Sequence, residues 1–382
     1  MNADDHTSHS IETRIGAELP SSLRAGLPQA RLALWEVERE LWAPRTLLWT
    51  DADGSVLGAA LTAGRPFTAY RKIVDVVAAS EQVWRELVDA ARFDAPPVGE
   101  TRPQPVVVHF EEQRALAPLT DGQRETLSAL GFTAAPKPVP SVPSTRTGDA
   151  AEVVAWSHWL GERPSRLAPY YGQTTEVTCG AVSSLMALES RGRNGFSPSD
   201  LSANRTAEIS FWRRITNLPA CEPVGLAVET AETGVLPELP RVVLSTTEPV
   251  LLEEFENDAD RVLRIDLQHQ ALRRAEELGL PIERRWIEVE EIARLVRDGA
   301  QVLLLIDLTE LIADPTPHWV LAADIVHDSD DNDVIILSDP WIHYPNGETW
   351  VDTYALPLPL PSVDRVTRWG APAYRGVVVL PA

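Results

Sequence analysis

Four prolines fall within the ten residues Ala135–Ser144, and neither a helix interior nor a central strand can run through such a segment. The run predicts an extended, semi-rigid linker, so the chain must fold as two parts around it. A length of 382 residues suits that division, because a single core rarely organises so long a chain. The boundaries read as a polar, disordered tail over 1–19, a first domain over 20–135, the linker over 136–150 and a second domain over 151–382. His6 and His9 fall in the tail, where solvation rather than metal binding is expected.

Charge narrows the partners. The formal net charge of −22 repels phosphate backbones and anionic lipid, so nucleic acid is not expected, and a cationic or neutral substrate is easier to accommodate. Only two cysteines occur, Cys179 and Cys221, which rules out a disulfide framework and fits a reducing, cytoplasmic setting. The acidic N-terminus lacks the order of a signal peptide, and no apolar run approaches the roughly 18 residues of a membrane span. No metal or cofactor motif is read, and nothing in the sequence fixes an oligomeric state.

In the first domain, Thr46–Trp49 and Val56–Leu61 flank Asp51-Ala-Asp-Gly54, a strong hairpin signal, and Ala69–Val77 supplies a third strand. A helix over Ser80–Phe93, an apolar strand over Pro105–Phe110 and a helix over Asp121–Leu130 closed by Gly131 follow. This order resembles the GNAT acyltransferase fold. An acyl-CoA site needs a glycine-rich turn after the central strand, whose backbone N–H groups hold the pyrophosphate. Here Val76–Val83 contains no glycine, so a GNAT-like domain without acyl-CoA binding is expected, and His109 is read as a packed side chain.

The second domain reads as helices first and sheet second, an α+β arrangement. Helices are expected over Leu226–Glu232, Leu263–Leu278 and Glu288–Arg297, and strands over Val302–Asp307, Trp319–Val326, Val334–Leu337 and Gly376–Leu380. Its first feature is the polar loop Tyr170–Thr178, which runs into an apolar helix at Cys179, with Thr178 as the expected N-cap. A cysteine in the first turn of a helix is biased toward the nucleophilic thiolate. Gln173 could fold its amide back beside the sulfur and donate to a developing oxyanion. An isolated Cys-Gly is more often structural, so its partners must decide.

Among His269, His318, His327 and His343, the pattern favours His318. It opens one strand and Asp339 closes the next, and the two are almost equidistant from the Asp328–Asp333 turn cluster. A hairpin there would bring them nearly opposite each other at its open end. His327 falls at the turn, His343 on a loop and His269 in a charged helix, and Cys221 has no basic neighbour. Gln173, five intervening residues, Cys179-Gly180, then His318-Trp-Val-Leu and Asp339-Pro340 resemble the bacteriocin-processing, double-glycine leader peptidases, which are papain-like cysteine peptidases. The resemblance covers residues 169–382 and implies a helical half carrying Cys179 and an antiparallel sheet half carrying His318 and Asp339. It further implies Cys179 as nucleophile, His318 as base, Asp339 as its orienter and Gln173 as oxyanion donor. The expected function is a cysteine peptidase or amidase acting on a peptide or amide through a thioester. An acyl transferase using the same thioester and a catalytically decayed binding module are the alternatives.

Overall fold

The computed structural model describes residues 9–94, 102–141, 152–215, 220–253, 255 and 257–382. Two compact units emerge, an α+β pair, each built on its own seven-stranded sheet. Residues 142–150, the C-terminal part of the expected linker, lie outside the described residues, as do residues 1–8 of the expected tail.

Unit 1 contains β1 (Ser10–Ile15), β2 (Arg45–Thr50), β3 (Val56–Ala63), β4 (Tyr70–Ala78), β5 (Val107–Gln113), β6 (Thr133–Ala134) and β7 (Val153–Trp159), with helices α1 (Ser21–Arg24), α2 (Gln29–Glu36), α3 (Glu81–Ala91) and α4 (Asp121–Ala129). The sheet order is β1-β2-β3-β4-β5-β7-β6, antiparallel except where β4 and β5 run parallel after the α3 crossover. Alternation explains the layers: Val83, Trp84, Leu87, Val88 and Ala91 face one way from α3 and meet Leu47, Ala60, Ile73, Val76 and Phe110 of the sheet. The Ser80 hydroxyl accepts from the Val83 amide and starts α3 without any glycine turn.

Three segments depart from the expected boundaries. Ser10–Ile15, assigned to a disordered tail, forms an edge strand on β2; its side chains stay mostly exposed, so no apolar pattern marks it. Val153–Trp159, assigned to the second domain, pairs with β5 along its whole length. Residues 343–352 also belong to unit 1, held there by buried ion pairs. Glu348 pairs with Arg65, and Asp352 with Lys72 at 2.5 Å. His109 is buried against the Ser157 hydroxyl at 2.9 Å, and burial, aided by the charge of Lys72, brings its pKa down to about 4.

Unit 2 contains helices α5 (Cys179–Ser190), α6 (Leu201–Ile215), α7 (Pro223–Glu232), α8 (Asp258–Leu278), α9 (Val289–Arg297), α10 (Thr309–Ile312) and α11 (Leu360–Val366). Its strands are β8 (Arg241–Leu244), β9 (Ile282–Glu283), β10 (Gln301–Asp307), β11 (Pro317–His327), β12 (Asp333–Ser338), β13 (Leu356–Pro359) and β14 (Gly376–Leu380). The order β13-β12-β11-β10-β14-β8-β9 is antiparallel apart from the short β8/β9 pair. Helix α5 is buried from Cys179 to Leu188, as a helix apolar on every side must be. It packs on β11, and the Ser183 hydroxyl donates to the Trp319 carbonyl at 2.9 Å, which fixes the first turns of the helix against the start of the strand. Gly180 allows this approach, because a Cβ there would lie 3.2 Å from both Cys221 and Trp319.

Candidate active site

β11 and β12 form the expected hairpin around the Asp328–Asn332 turn, but its register differs from the sequence expectation. Leu321 faces Ser338, and continuing that pairing sets Asp339 beside Val320 rather than His318. The turn is centred farther along the chain than the strand ends suggest, and a bulge between Ala322 and Asp324 shifts the pairing again. His318 and Val320 share one face of the strand, so His318 and Asp339 become diagonal neighbours, within reach of a histidine. The His318 Nε2 lies 2.7 Å from the Asp339 Oδ1.

Asp339 is held from several sides. It is fully buried, its Oδ1 also accepts from the Trp341 amide at 2.8 Å, and its own amide donates to the Thr353 carbonyl at 3.0 Å. With Nε2 engaged, Nδ1 is the ring nitrogen left to face Cys179 across the cleft. Burial alone would lower the His318 pKa. The Asp339 charge and hydrogen bond, reinforced by Cys179, outweigh it and raise the value to about 9. Cys179, His318 and Gln173 line one cleft of about 280 Å³, together with Glu176, Val177, Leu308, Asp314 and Trp341. Unit 1 has a larger hollow of about 900 Å³, but among the described residues neither a cysteine nor a histidine lines it.

The loop before Cys179 is shaped by a residue that sequence reading missed. Glu208 of α6 is completely buried and accepts four hydrogen bonds from this loop. Its Oε1 takes the Thr174 amide at 2.8 Å and the Thr178 hydroxyl at 2.5 Å, and its Oε2 takes the Tyr171 hydroxyl at 3.0 Å and the Thr174 hydroxyl at 2.8 Å. Thr178 precedes the helix as expected, yet its side chain makes no capping bond: its hydroxyl donates to the Glu208 carboxylate, and its backbone, at φ −98° and ψ 10°, is not the extended one that aims a cap oxygen at the helix amides. Gln173 is fixed at its backbone by donation to the Pro340 carbonyl at 2.9 Å, next to Asp339. Its side-chain Nε2 donates to the Thr175 carbonyl at 2.8 Å, and its Oε1 has no hydrogen-bond partner among the described residues.

The remaining candidates lie elsewhere. His327 sits at the hairpin turn near Glu162 and Asp333, and His269 is exposed on α8. His343 lies in unit 1, stacked on Trp42. Cys221 is buried behind α5, and burial, with the nearby Cys179, pushes its thiol well above the usual range. Among the described residues no cluster of three or more His, Cys, Asp or Glu side chains could hold a metal ion, and no helix is long and apolar enough to cross a membrane.

Comparison with known proteins places a match in the same region. The profile of a family described as "Peptidase_C39 like family" matches residues 168–381. Comparison with curated proteins finds no match. Among solved structures, nourseothricin acetyltransferase aligns at 17% identity and a TM-score of 0.22, covering 31% of this chain and 66% of its own, just under two thirds of its length. A dodecameric spermidine N-acetyltransferase from Vibrio cholerae aligns at 10% identity and a TM-score of 0.25, covering 39% of this chain and 93% of its own.

Proposed function

Because the chain belongs to the Peptidase_C39 like family, we propose that it is a cysteine peptidase or amidase in which Cys179 is the nucleophile, His318 the acid and base, Asp339 the orienting carboxylate and Gln173 an oxyanion donor. The observation that carries this reading is the His318 ring, bonded to Asp339 through Nε2 at 2.7 Å and lining the same accessible cleft as Cys179.

In the reaction, the Cys179 sulfur attacks the carbonyl carbon of a peptide or amide, and the carbonyl electron pair moves to oxygen. The Gln173 side-chain N–H and the Cys179 backbone N–H stabilise that oxyanion. The charged His318 ring delivers its proton to the departing nitrogen, the C–N bond breaks and a thioester remains. His318 then takes a proton from water, whose oxygen attacks the thioester, and the acid leaves as the sulfur is regenerated. Asp339 keeps the proton-bearing Nε2 pointed at itself and stabilises the charged ring, so that Nδ1 serves the sulfur in both halves.

The test is mass spectrometry of Cys179 after incubation with a peptide library. A mass gain on the Cys179 peptide equal to an acyl fragment, trapped by acid quenching, lost to hydrolysis as incubation continues and absent in Cys179→Ser, is expected. Product release with an intact library acyl group on an added amine instead of water would assign acyl transfer. Turnover unaffected by Cys179→Ser would refute the nucleophile.

A further inference from the structure

The outermost strands of the two sheets are β1, β6, β13 and β9. β6 and β9 hold two residues each, and β13 carries Pro357 and Pro359, so these edges offer little to another chain. β1 is different: Ser10–Ile15 is six residues long, contains no proline or lysine, and has no strand on its outer side among the described residues. The ladder fixes which of its groups face outward. The Gly16 amide donates to the Pro44 carbonyl at 2.8 Å, and these two residues continue the β1/β2 register. Main-chain groups alternate sides along an antiparallel strand, so Arg14 and Glu12 also turn theirs to β2, while Ile15, Thr13 and Ile11 turn theirs outward. The side chains add a second regularity. Ile11-Glu12-Thr13-Arg14-Ile15 is a palindrome in everything but the sign of its charges. Glu12 and Arg14 are exposed and meet each other at 3.2 Å, and Ile15 is 87% exposed.

We propose that β1 is a dimer contact, in which two copies of this chain pair their β1 strands antiparallel about a two-fold axis at Thr13. Thr13 then faces the partner's Thr13, and Ile11 faces the partner's Ile15. All of these residues turn their main-chain groups outward, so each pair exchanges both of its hydrogen bonds. The partner's Ile11 comes beside Ile15 and covers it. Glu12 faces the partner's Arg14, and the two in-strand ion pairs close into a ring of alternating charge. Other registers fail. A slip of one residue sets outward groups against groups already turned to β2, and a slip of two sets Glu12 against the partner's Glu12 or Arg14 against the partner's Arg14. The contact is small, so the dimer forms on the order of 10–100 µM. It is independent of the role of Cys179.

Sedimentation velocity of the full chain from about 1 µM to about 300 µM tests it, at about 150 mM salt so that the repulsion between two chains of charge −22 is screened. The mass should rise toward that of two chains. Thr13→Pro removes an outward N–H and leaves the bonds to β2 in place, so it should weaken association at least about 10-fold. Glu12→Arg and Arg14→Glu each set like charges opposite one another, and each variant alone should stay monomeric over this range. An equimolar mixture of the two should dimerise at least as tightly as the parent, because every charge then meets its opposite across the contact. That recovery also shows that both variants are folded. A parent that stays monomeric to about 300 µM overturns the proposal. So does a dimer that Thr13→Pro or the single charge changes leave intact, or a mixture that stays monomeric.

Discussion

Glu208 offers the sharpest test of how the nucleophile loop is built. In Glu208→Ala, four donors from Tyr171, Thr174 and Thr178 lose their acceptor at once. Hydroxyls can turn toward other acceptors, and Thr175 already lies 3.0 Å from the Thr178 oxygen, but the Thr174 amide cannot turn. Counting one stranded amide at about 1–3 kcal/mol, the lost charge-assisted bonds and the space left behind, the variant should lose about 3–5 kcal/mol of stability. Glu208→Gln keeps the shape. Its oxygen can take the Oε1 position and satisfy the Thr174 amide, while its nitrogen at the Oε2 position donates to the Tyr171 and Thr174 hydroxyls, which reverse their roles. The expected loss is about 1–2 kcal/mol. Activity separates positioning from simple stability: a displacement of Gln173 and Cys179 by about 1 Å should cost roughly 100-fold in kcat, with KM nearly unchanged, and Glu208→Gln should recover most of it. Denaturant melts and the acyl-enzyme rate measured well below the melting point are the assays. Equal damage from Gln and Ala, or a stability loss in Ala with unaltered kcat, would refute the argument that this carboxylate sets the loop.

The remaining expectations concern the reacting residues. Iodoacetamide at neutral pH should label Cys179 far faster than Cys221, whose thiol is buried and shifted upward; peptide mapping reads the ratio, and equal rates in the folded chain would remove the basis for the nucleophile. His318→Ala should abolish activity and Asp339→Asn should reduce it by about 10²–10⁴, whereas His327→Ala and His343→Ala should change little; a folded, fully active His318→Ala would overturn the assignment. The His318 pKa is raised in the folded chain, so its stabilising contribution is complete below about pH 6.5 and is lost as the pH rises through about 9. The melting temperature should therefore fall over that interval in the parent and much less in Asp339→Asn, and identical pH profiles for the two would contradict the coupling.

Elements with a strong local pattern were legible in the sequence. The hairpin of β2 and β3 follows from Asp51–Gly54, where Gly54 takes the positive φ of 82° that the turn demands. Helix α8 instead begins at Asp258, five residues before its expected start, because Asn257 caps it through the Asp260 amide and the opening turn is polar. Ser10–Ile15 and Arg241–Leu244 escaped notice for a related reason: the first contributes backbone pairing without an apolar face, and the second is only four residues long. Nothing local separates the 343–352 segment from its sequence neighbours, since the ion pairs that hold it in unit 1 join residues about 280 positions apart. Glu208 did leave one. Asn204, Glu208, Phe211 and Ile215 recur at helical spacing on the buried face of α6, so two polar residues sit where a core stripe is expected. A polar pair on such a stripe is tolerable only if bonded, and that requirement points to a loop rich in donors.

The meeting of His318 with Asp339 shows why residue placement can survive an error in register. Strand pairing repeats every two residues, so a shift of two keeps every side chain on its face and only slides one strand along the other. A shift of one would have turned the Asp339 carboxylate to the opposite side of the sheet. The observed register differs from simple end-to-end matching by two, and a histidine is long enough to span the resulting diagonal at 2.7 Å. What the sequence could not supply was the ring nitrogen that each partner takes. That choice depends on Asp339 lying just beyond the end of β12, where the Trp341 amide and the Thr353 carbonyl fix its orientation, and it is this anchoring that presents Oδ1 to Nε2 and leaves Nδ1 to the sulfur.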